Sequence, residues 1–408
     1  MVSQQSARLV AGTPAIAVAH FAAEADPYHP GTNPRGYVNL GTAENRLLWD
    51  LLAPRLRAAR PVEAADTRYA PLHGTARLRE NVARFLAATR GVPVDPEDLV
   101  IVSGATGALD VIATALCDPG EAIVVPVPYY GALDTDLTGR SGAVLVPVAP
   151  GPGDGLTPGP AAVAEAVRRA RDRGVTVRAL AITSPHNPLG RVYPAGELTA
   201  LARVCAGLDL DLVADEIYAN SVFGSTPFTS ALDLTGDLID PDRVHVVWGF
   251  AKDFGLPGLK VGVLHTRGAR VRDAVRELAY FAPVSTDTQW LLADLLDDKG
   301  WLADFLDEHR RRLSASYTRV TAELTAAGLA FAPAQAGFSV WTSLRPWLAR
   351  DDAAGERELW RRLVDGARVS LTPGEVFHAT EPGWFRLCHT VGADAVTEGV
   401  RRIRQLLG

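Results

Sequence analysis

A chain of 408 residues is longer than one hydrophobic core usually serves, so we expect more than one domain. Hydrophobic residues make up 47% of the chain and charged residues 22%, which is typical of a globular protein in water. The formal net charge is −6. Because this charge gives no attraction to polyanions, we expect neither nucleic acid nor an anionic membrane surface as a partner.

The three cysteines, Cys117, Cys205 and Cys388, are widely spaced. Two of them fall in apolar or helical stretches, which favours small buried side chains over disulfides or metal ligands, and no metal site is expected. The first thirty residues lack a basic start followed by an apolar run, and no apolar stretch approaches about 18 residues. We therefore expect a cytoplasmic enzyme.

Along the chain, short apolar runs alternate with longer amphipathic ones. Residues 1–36 show little periodicity and several Gly and Pro, and we predict an N-terminal arm there. A helical pattern begins at about residue 75. The predicted strands are 99–103, 122–127, 143–148, 176–183, 209–214, 243–248 and 261–265, and the predicted helices that follow are 106–117, 161–173, 194–206 and 271–279.

This alternation of strands and helices predicts an α/β fold with a mainly parallel sheet that is covered on both faces. Such sheets bind ligands in the crevice outside the carboxyl ends of their strands. After about residue 285 the pattern changes to long helices and then to a mixed segment, 331–389. That segment indicates a smaller α+β domain.

One lysine stands out as a candidate for amine chemistry. Lysine occurs only at Lys252, Lys260 and Lys299, and all other basic residues of the Lys and Arg total are arginine. The predicted apolar strand ends at Trp248 and runs into a glycine-bearing loop, G-F-A at 249–251, with Lys252 at its exit. Because burial lowers the pKa of a lysine toward the neutral amine that forms imines, we predict a functional role rather than an exposed loop position.

Polar residues follow three other predicted strands. A carboxylate at Asp215 can keep a pyridinium nitrogen protonated, although it can equally cap the next helix. Asn187, in the loop S-P-H-N-P-L-G at 184–190, can bond a phenolic oxygen or simply form a turn. The turn S-G-A-T-G-A at 103–108 joins a strand to a helix start, where small residues and the helix dipole favour a phosphate. Each signal is weak alone, but the four occur in order at strand ends.

Together with four longer motifs, this order resembles the fold-type I pyridoxal-phosphate enzymes, the aspartate aminotransferase superfamily of class I and II. Within it, the chain is similar to 1-aminocyclopropane-1-carboxylate (ACC) synthases. The likeness extends from about residue 39 to the C-terminus. The family patterns G-x-A-E-N-x-L, D-P-G-D…P-x-P-Y-Y, S-K-D-x-G-x-P-G-x-R-V-G and E-P-G-W-F-R-x-C are matched by residues 41–47, 118–130, 251–262 and 381–388.

The resemblance implies the PLP-dependent transferase fold: a large domain at 71–284 with a mainly parallel seven-stranded sheet, and a smaller, discontinuous α+β domain at 37–70 and 285–408. It implies pyridoxal 5'-phosphate (PLP) as the cofactor, held by Lys252 as a Schiff base. Once displaced by the substrate, Lys252 would move the proton on Cα. It also implies a homodimer in which Tyr69 reaches the phosphate of the neighbouring site.

The resemblance assigns further roles around the cofactor and the substrate. Asp215 would pair with the pyridine nitrogen, and Arg386 would clamp the substrate carboxylate in a bidentate geometry that lysine does not supply. The remaining cofactor contacts are expected from Asn187 and Tyr218 to the phenolic oxygen, from Tyr130 stacked on the ring, and from Ala105, Thr106 and Lys260 to the phosphate.

The chain departs from the family pattern at several of these positions. The usual serines three residues before and directly before the lysine are Gly249 and Ala251, and the usual phosphate-binding arginine is Lys260. Phosphate binding therefore loses hydroxyl donors, and a bidentate cation becomes a point charge. Leu72 stands where ACC synthases tend to have a tyrosine.

Two PLP-dependent reactions on an α-amino acid fit this pattern, and both begin with loss of the Cα proton to give a quinonoid. In the ACC-synthase-like path, S-adenosylmethionine loses its sulfonium from Cγ by γ-elimination or γ-replacement and releases methylthioadenosine. Glu44 and the pair Tyr129–Tyr130 favour this path, because a carboxylate and aromatic faces suit a cation. Glu44 can also be an ordinary surface or capping carboxylate.

The alternative is an aminotransferase that converts an amino acid to its keto acid. A ligand-sensing regulator with an aminotransferase-like domain is disfavoured. Only about forty residues precede the likeness, and they contain no recognition-helix pattern and no basic cluster.

Overall fold

A computed structural model describes residues 2, 3, 6, 7, 10, 15–58, 62–151, 153–234 and 237–408. Most strands are short and buried. In chain order they are β1 (Val38–Asn39), β2 (Leu99–Ser103), β3 (Ala122–Pro126), β4 (Val144–Val148), β5 (Val177–Thr183), β6 (Asp211–Asp215), β7 (Val244–Gly249), β8 (Val261–Thr266), β9 (Ala330–Ala332), β10 (Ser339–Ser343), β11 (Val369–Ser370), β12 (Thr372–Pro373) and β13 (Trp384–Cys388).

Helices occupy most of the intervening chain. They are α1 (Ala15–Ala25), α2 (Trp49–Arg57), α3 (Ala76–Arg90), α4 (Gly104–Leu116), α5 (Leu133–Asp136), α6 (Pro160–Asp172), α7 (Ala195–Gly207), α8 (Ala269–Leu278), α9 (Thr286–Asp297), α10 (Lys299–Ala326), α11 (Ala353–Arg361) and α12 (Ala393–Leu407). None of the helices in the described part of the chain is both long and apolar enough to cross a membrane.

The main sheet has seven strands in the order β2-β8-β7-β6-β5-β3-β4. The strands from β7 to β4 pair in parallel, and only β8 runs against its two neighbours. Apolar residues of α6 and α7 pack on one face, and those of α4 and α8 pack on the other. Because both faces are covered, the strands are nearly continuous apolar runs.

A second, antiparallel sheet of four strands has the order β12-β13-β10-β9. Its core includes Val340, Phe385 and Leu387 together with apolar residues of α10 and α12. The long helix α10 leads from the main sheet region to this second sheet. It carries the buried His309 in its first half.

The predicted α/β class with a mainly parallel seven-stranded sheet is confirmed, and each predicted strand of that sheet lies within two residues of its observed bounds. The division into domains at 71–284 and at 37–70 with 285–408 stays a prediction. Within the predicted arm at 1–36, the structure places helix α1, which the sequence pattern did not indicate. The three cysteines are buried with free thiols, as expected.

Candidate active site

The carboxyl ends of β5, β6 and β7 lie side by side at one edge of the main sheet, because these strands are parallel neighbours. Strand β2 points the same way, since β2 and β7 are both antiparallel to β8. A cleft of about 490 Å³ opens at this edge. The predicted site residues that line it are Glu44, Ala105, Thr106, Tyr130, Asn187, Asp215, Tyr218, Lys252, Lys260 and Arg386.

Lys252 leaves strand β7 through a short loop and turns its amine into this cleft. Its Nζ donates a hydrogen bond to the backbone carbonyl of Ala43 at 2.6 Å. Burial lowers the pKa of Lys252 to about 8, and the nearby positive charge of Arg386 acts in the same direction. At pH 7 about a tenth of the amine is therefore neutral and nucleophilic, far more than for an exposed lysine.

Asp215 ends strand β6 and is 6% exposed. Burial raises the pKa of its carboxyl to about 7, while a hydrogen bond from the backbone N–H of Ile217 opposes that rise. Asn187 and Tyr218 lie beside it in the cleft, and both are buried. A buried carboxyl at this edge is ready to pair with a cationic ring nitrogen, which would restore its ionised form.

Arg386 comes from strand β13 of the second sheet and is 6% exposed. Its Nη1 donates to Asn187 Oδ1 at 3.0 Å, and its Nη2 donates to the carbonyl of Gly41 at 2.7 Å. The guanidinium carbon lies 4.9 Å from the ring centroid of Phe377. These contacts hold the planar guanidinium group in one orientation at the cleft, where it can bind a carboxylate.

A candidate anion site lies where β2 passes into helix α4. A Cβ added at Gly262 would lie 2.2 Å from the carbonyl carbon of Gly104 and 2.6 Å from the amide nitrogen of Ala105, so only glycine allows β8 to approach this turn. Across the turn, a Cβ at Gly104 would lie 3.4 Å from Lys260 Nζ. The helix N-terminus and the ammonium group together favour a phosphate.

Asp136 adds a carboxylate to this anion site. Its Oδ2 accepts a hydrogen bond from Thr106 Oγ1 at 3.3 Å. Burial raises the pKa of Asp136 to about 6, although Lys260 lowers it. Near neutral pH the carboxylate thus remains mostly ionised and offsets part of the positive charge of Lys260. The sequence motifs did not single out this residue.

These residues fit the chemical groups of PLP. The neutral amine of Lys252 suits an aldehyde, the buried carboxyl of Asp215 suits a pyridine nitrogen, and the α4 turn with Lys260 suits a phosphate. Thr183 also lines the cleft, and its buried hydroxyl has no hydrogen-bond partner among the described residues, so a polar donor remains for a ligand. When bound, PLP supplies an electron sink for the bonds at the substrate Cα.

Two predicted site residues are directed elsewhere. Tyr129 is buried, its hydroxyl donates to Asp134 Oδ1 at 2.7 Å, and its ring stacks on His378. It is therefore engaged outside the cleft, and no contact supports its predicted role in substrate binding. Tyr69 is fully exposed, at 105% of its reference area. Its predicted reach into a partner's site stays a prediction.

The sequence patterns did not predict that helix α1 lies over this cleft. Ile16, Ala17, His20 and Phe21 line its outer part, and His20 Nδ1 lies 2.8 Å from Thr42 Oγ1. Residues 370–372 also line the cleft. No spacing signal links these segments to the strand ends, because they meet only in three dimensions.

Comparison with known proteins gives concordant results. The family model for aminotransferase class I and II matches residues 35–403. An ACC synthase of Glycine max is 36% identical over 399 residues, which cover 94% of this chain and 82% of that protein. ACC synthase 2 of Solanum lycopersicum is 34% identical over 401 residues, which cover 94% and 83%.

Among solved structures, the aspartate aminotransferase of Thermus thermophilus with maleate superposes with a TM-score of 0.83 at 25% identity. The match covers 100% of this chain and 99% of that chain. Since the family model spans most of the chain and the identity to full-length relatives exceeds 30%, the chain belongs to the aminotransferase class I and II family and is a fold-type I PLP-dependent enzyme.

Proposed function

We propose that this enzyme acts on S-adenosylmethionine, removes its sulfonium from Cγ by γ-elimination or γ-replacement, and releases methylthioadenosine. The similarity to proteins named ACC synthase over 94% of the chain supports a reaction of this type. The proposal includes a homodimer and a cytoplasmic location.

The observation that carries the proposal is the pair of acceptors opposite Lys252. The carbonyl of Ala43 and the carboxylate of Glu44 stand on one segment in the cleft, and both place negative potential beside the Lys252 amine. A substrate whose side chain bears a cation gains from this potential. Glu44 accepts two hydrogen bonds from Arg46, at 3.1 and 3.0 Å, which fix its orientation.

The distribution of arginines favours the same substrate over a dicarboxylic amino acid. Among the described residues that line the cleft, Arg386 is the single arginine. One arginine can clamp the α-carboxylate, but a second substrate carboxylate would meet Glu44, whose ion-pair partner Arg46 does not line the cleft. A side chain with a sulfonium meets no such repulsion.

The site residues then take the following roles in the proposal. Arg386 orients the substrate by its α-carboxylate. Lys252, whose pKa is lowered to about 8, takes the proton from the substrate Cα as a general base. Asp215 keeps a proton on the pyridine nitrogen of the cofactor. Glu44 holds the sulfonium until the bond from Cγ to sulfur breaks and methylthioadenosine leaves as a neutral thioether with the bonding pair. The electron pair freed at Cα then closes a bond to Cγ, or a nucleophile takes the place of sulfur at Cγ and a proton returns to Cα.

The homodimer in this proposal accounts for an exposed patch on the main-sheet side. Tyr69, Tyr280 and Phe281 are 105%, 64% and 70% exposed, and Leu72 is 38% exposed. Leu72, Tyr280 and Phe281 line one shared depression. Aromatic residues are enriched at protein interfaces, and a second copy of the chain would cover these side chains and bring Tyr69 to the neighbouring cleft.

The test is incubation of the PLP-loaded enzyme with S-adenosylmethionine and detection of methylthioadenosine by mass spectrometry. Because S-adenosylmethionine also decomposes slowly by itself, the control is Lys252→Ala, which should reduce the release to the background rate. Lys299→Ala is the matched control, since Lys299 is exposed on α10 and should keep the wild-type rate. No release above background from the wild type would refute the proposal.

Transamination is the second candidate, favoured by the TM-score of 0.83 to an aspartate aminotransferase. The same preparation is incubated with a panel of amino acids and a 2-oxo acid acceptor, and keto acids are quantified. Keto acid formation in the absence of methylthioadenosine release would establish transamination in place of the γ-reaction.

A further inference from the structure

A buried chain of hydrogen bonds runs behind the cleft and joins two of its walls. Asn45 Nδ2 lies 3.2 Å from His309 Nδ1, His309 Nε2 lies 3.0 Å from Ser221 Oγ, and Ser221 Oγ lies 2.6 Å from Asp253 Oδ1. His309, Ser221 and Asp253 are each 0% exposed. We call these four residues the relay.

The direction of every bond in the relay follows from its donors. The amide Nδ2 of Asn45 can only donate, so His309 Nδ1 accepts. Burial lowers the pKa of His309 to about 3, so the ring is neutral and carries its one proton on Nε2. Nε2 then donates to Ser221, whose hydroxyl donates to the carboxylate of Asp253. A single tautomer satisfies all three bonds.

The Asp253 end of the relay is anchored to the main sheet. Its carboxylate also accepts hydrogen bonds from the Asn220 backbone N–H at 3.1 Å, from Asn220 Nδ2 at 2.8 Å and from Trp248 Nε1 at 3.0 Å. Trp248 belongs to strand β7 and is 1% exposed. This end therefore cannot shift without breaking several buried bonds, and each broken bond would leave polar groups unpaired away from water.

Both ends of the relay adjoin residues of the cleft. Asp253 directly follows Lys252, and Asn45 directly follows Glu44. The two segments also touch, because a Cβ at Gly255 would lie 2.8 Å from the carbonyl oxygen of Asn45. The hydrogen bond from Lys252 Nζ to the Ala43 carbonyl involves the nitrogen that would bind the cofactor. The relay does not involve this nitrogen, so it does not depend on whether the cofactor is bound.

We propose that His309 is a positioning residue that clamps the segment 41–47, and with it Glu44, against the loop that carries Lys252. Helix α10 thus sets the distance across the cleft between the lysine and the carboxylate, although His309 touches neither. The positioning itself does not depend on which substrate is used. Its kinetic consequence rests on the proposed function.

The first test is hydrogen–deuterium exchange of the PLP-loaded enzyme, read on peptides that cover residues 41–47. His309→Leu removes both ring bonds at similar volume, and we expect exchange in this segment to become at least about tenfold faster. The matched control is His245→Leu. His245 is 0% exposed and bonds Thr266 and Asp211, but it lies near the start of β7, away from the cleft.

Two conservative variants separate positioning from loss of folding. In His309→Asn the side-chain oxygen replaces Nδ1 and can accept from Asn45, while in His309→Gln the amide nitrogen replaces Nε2 and can donate to Ser221. We expect the asparagine variant to restore protection of residues 41–47 and the glutamine variant to leave it low. Equal exchange in all variants, or the same increase in His245→Leu, would overturn the proposal.

The kinetic test uses S-adenosylmethionine. Because the relay positions Glu44 rather than the reacting atoms, His309→Gln should raise KM about tenfold and change kcat less than about threefold. If wild-type enzyme does not release methylthioadenosine, the proposed function fails while the exchange result still decides the role of His309. If His309→Gln lowers kcat and leaves KM unchanged, the positioning of Glu44 is refuted while the proposed function stands.

Discussion

Replacing Arg386 by lysine tests the proposed carboxylate clamp most directly. Both Nη atoms of Arg386 are already engaged, with Asn187 Oδ1 at 3.0 Å and with the Gly41 carbonyl at 2.7 Å. Its Nε is buried without a hydrogen-bond partner among the described residues. A lysine in this place has one ammonium group and no planar fork, so it cannot hold both protein contacts and also bind a carboxylate through two bonds.

The expected magnitude follows from the hydrogen bonds that a lysine cannot form. A hydrogen bond to a charged group contributes about 1.5–3 kcal/mol. The variant lacks one bond to the substrate carboxylate and one that orients the side chain, so we expect about 3–6 kcal/mol less stabilisation of the transition state. At 1.36 kcal/mol for each factor of ten, kcat/KM should fall roughly 150- to 25,000-fold.

The assay measures release of methylthioadenosine from S-adenosylmethionine and, independently, the absorbance change when an α-amino acid binds to the PLP-loaded enzyme. The matched control is Arg402→Lys. Arg402 is also buried, at 9% exposed, bonds the carbonyls of Gly36 and Pro34 at 2.8 and 2.7 Å, and lies outside the cleft. A loss of less than about fivefold in Arg386→Lys, or an equal loss for an amine without a carboxylate, would refute the clamp.

Two further predictions concern Lys252 and Asp215. In cofactor-free enzyme the rate of PLP capture should rise about tenfold per pH unit up to about pH 8 and then level off, because only the neutral amine of Lys252 adds to the aldehyde. Stopped-flow absorbance measures this rate, and a rise that continues toward pH 10, as for an exposed lysine, would contradict it. Asp215→Asn should still take up PLP but lose at least roughly 100-fold in kcat, since removal of one member of a buried ion pair costs about 3–5 kcal/mol. Turnover within tenfold of the wild type would exclude the predicted pairing with the ring nitrogen.

The main sheet could be predicted from the sequence because its strands are buried on both faces. The observed strand Val261–Thr266, for example, agrees with the strand that the mostly apolar run V-G-V-L-H predicts at 261–265. Helix α1 was missed for the opposite reason. It is alanine-rich, so its sequence shows no clear apolar stripe. Its position over the cleft depends on a few tertiary contacts.

The candidate site likewise contains residues that the sequence could place and contacts that it could not. Lys252, Asp215 and Asn187 could be placed together from the sequence because the carboxyl ends of parallel strands meet at one edge of a sheet. Arg386 entered only through the resemblance to a family. The bond between Asn45 and His309 joins positions 264 apart in the chain, and no local pattern predicts it. Contacts of this kind depend on packing between elements rather than on periodicity within them.

The two missing serines near Lys252 differ in what the backbone permits. A Cβ at Gly249 would lie 2.8 Å from the carbonyl oxygen of Val261 and 3.2 Å from the Cα of Gly262, so Gly249→Ser would force β7 and β8 apart. We expect that variant to lose about 1–3 kcal/mol of unfolding free energy, the usual cost of overpacking, measured by chemical denaturation.

Ala251 instead lines the cleft, where a hydroxyl can point toward the phosphate site. Ala251→Ser should therefore add one hydrogen bond of about 1 kcal/mol and tighten PLP binding about fivefold, measured by equilibrium dialysis of cofactor from each variant. Glycine at 249 is then a requirement of the close strand pair, whereas alanine at 251 leaves a phosphate donor unused. A stable Gly249→Ser protein that binds PLP more tightly than Ala251→Ser would reverse this assignment.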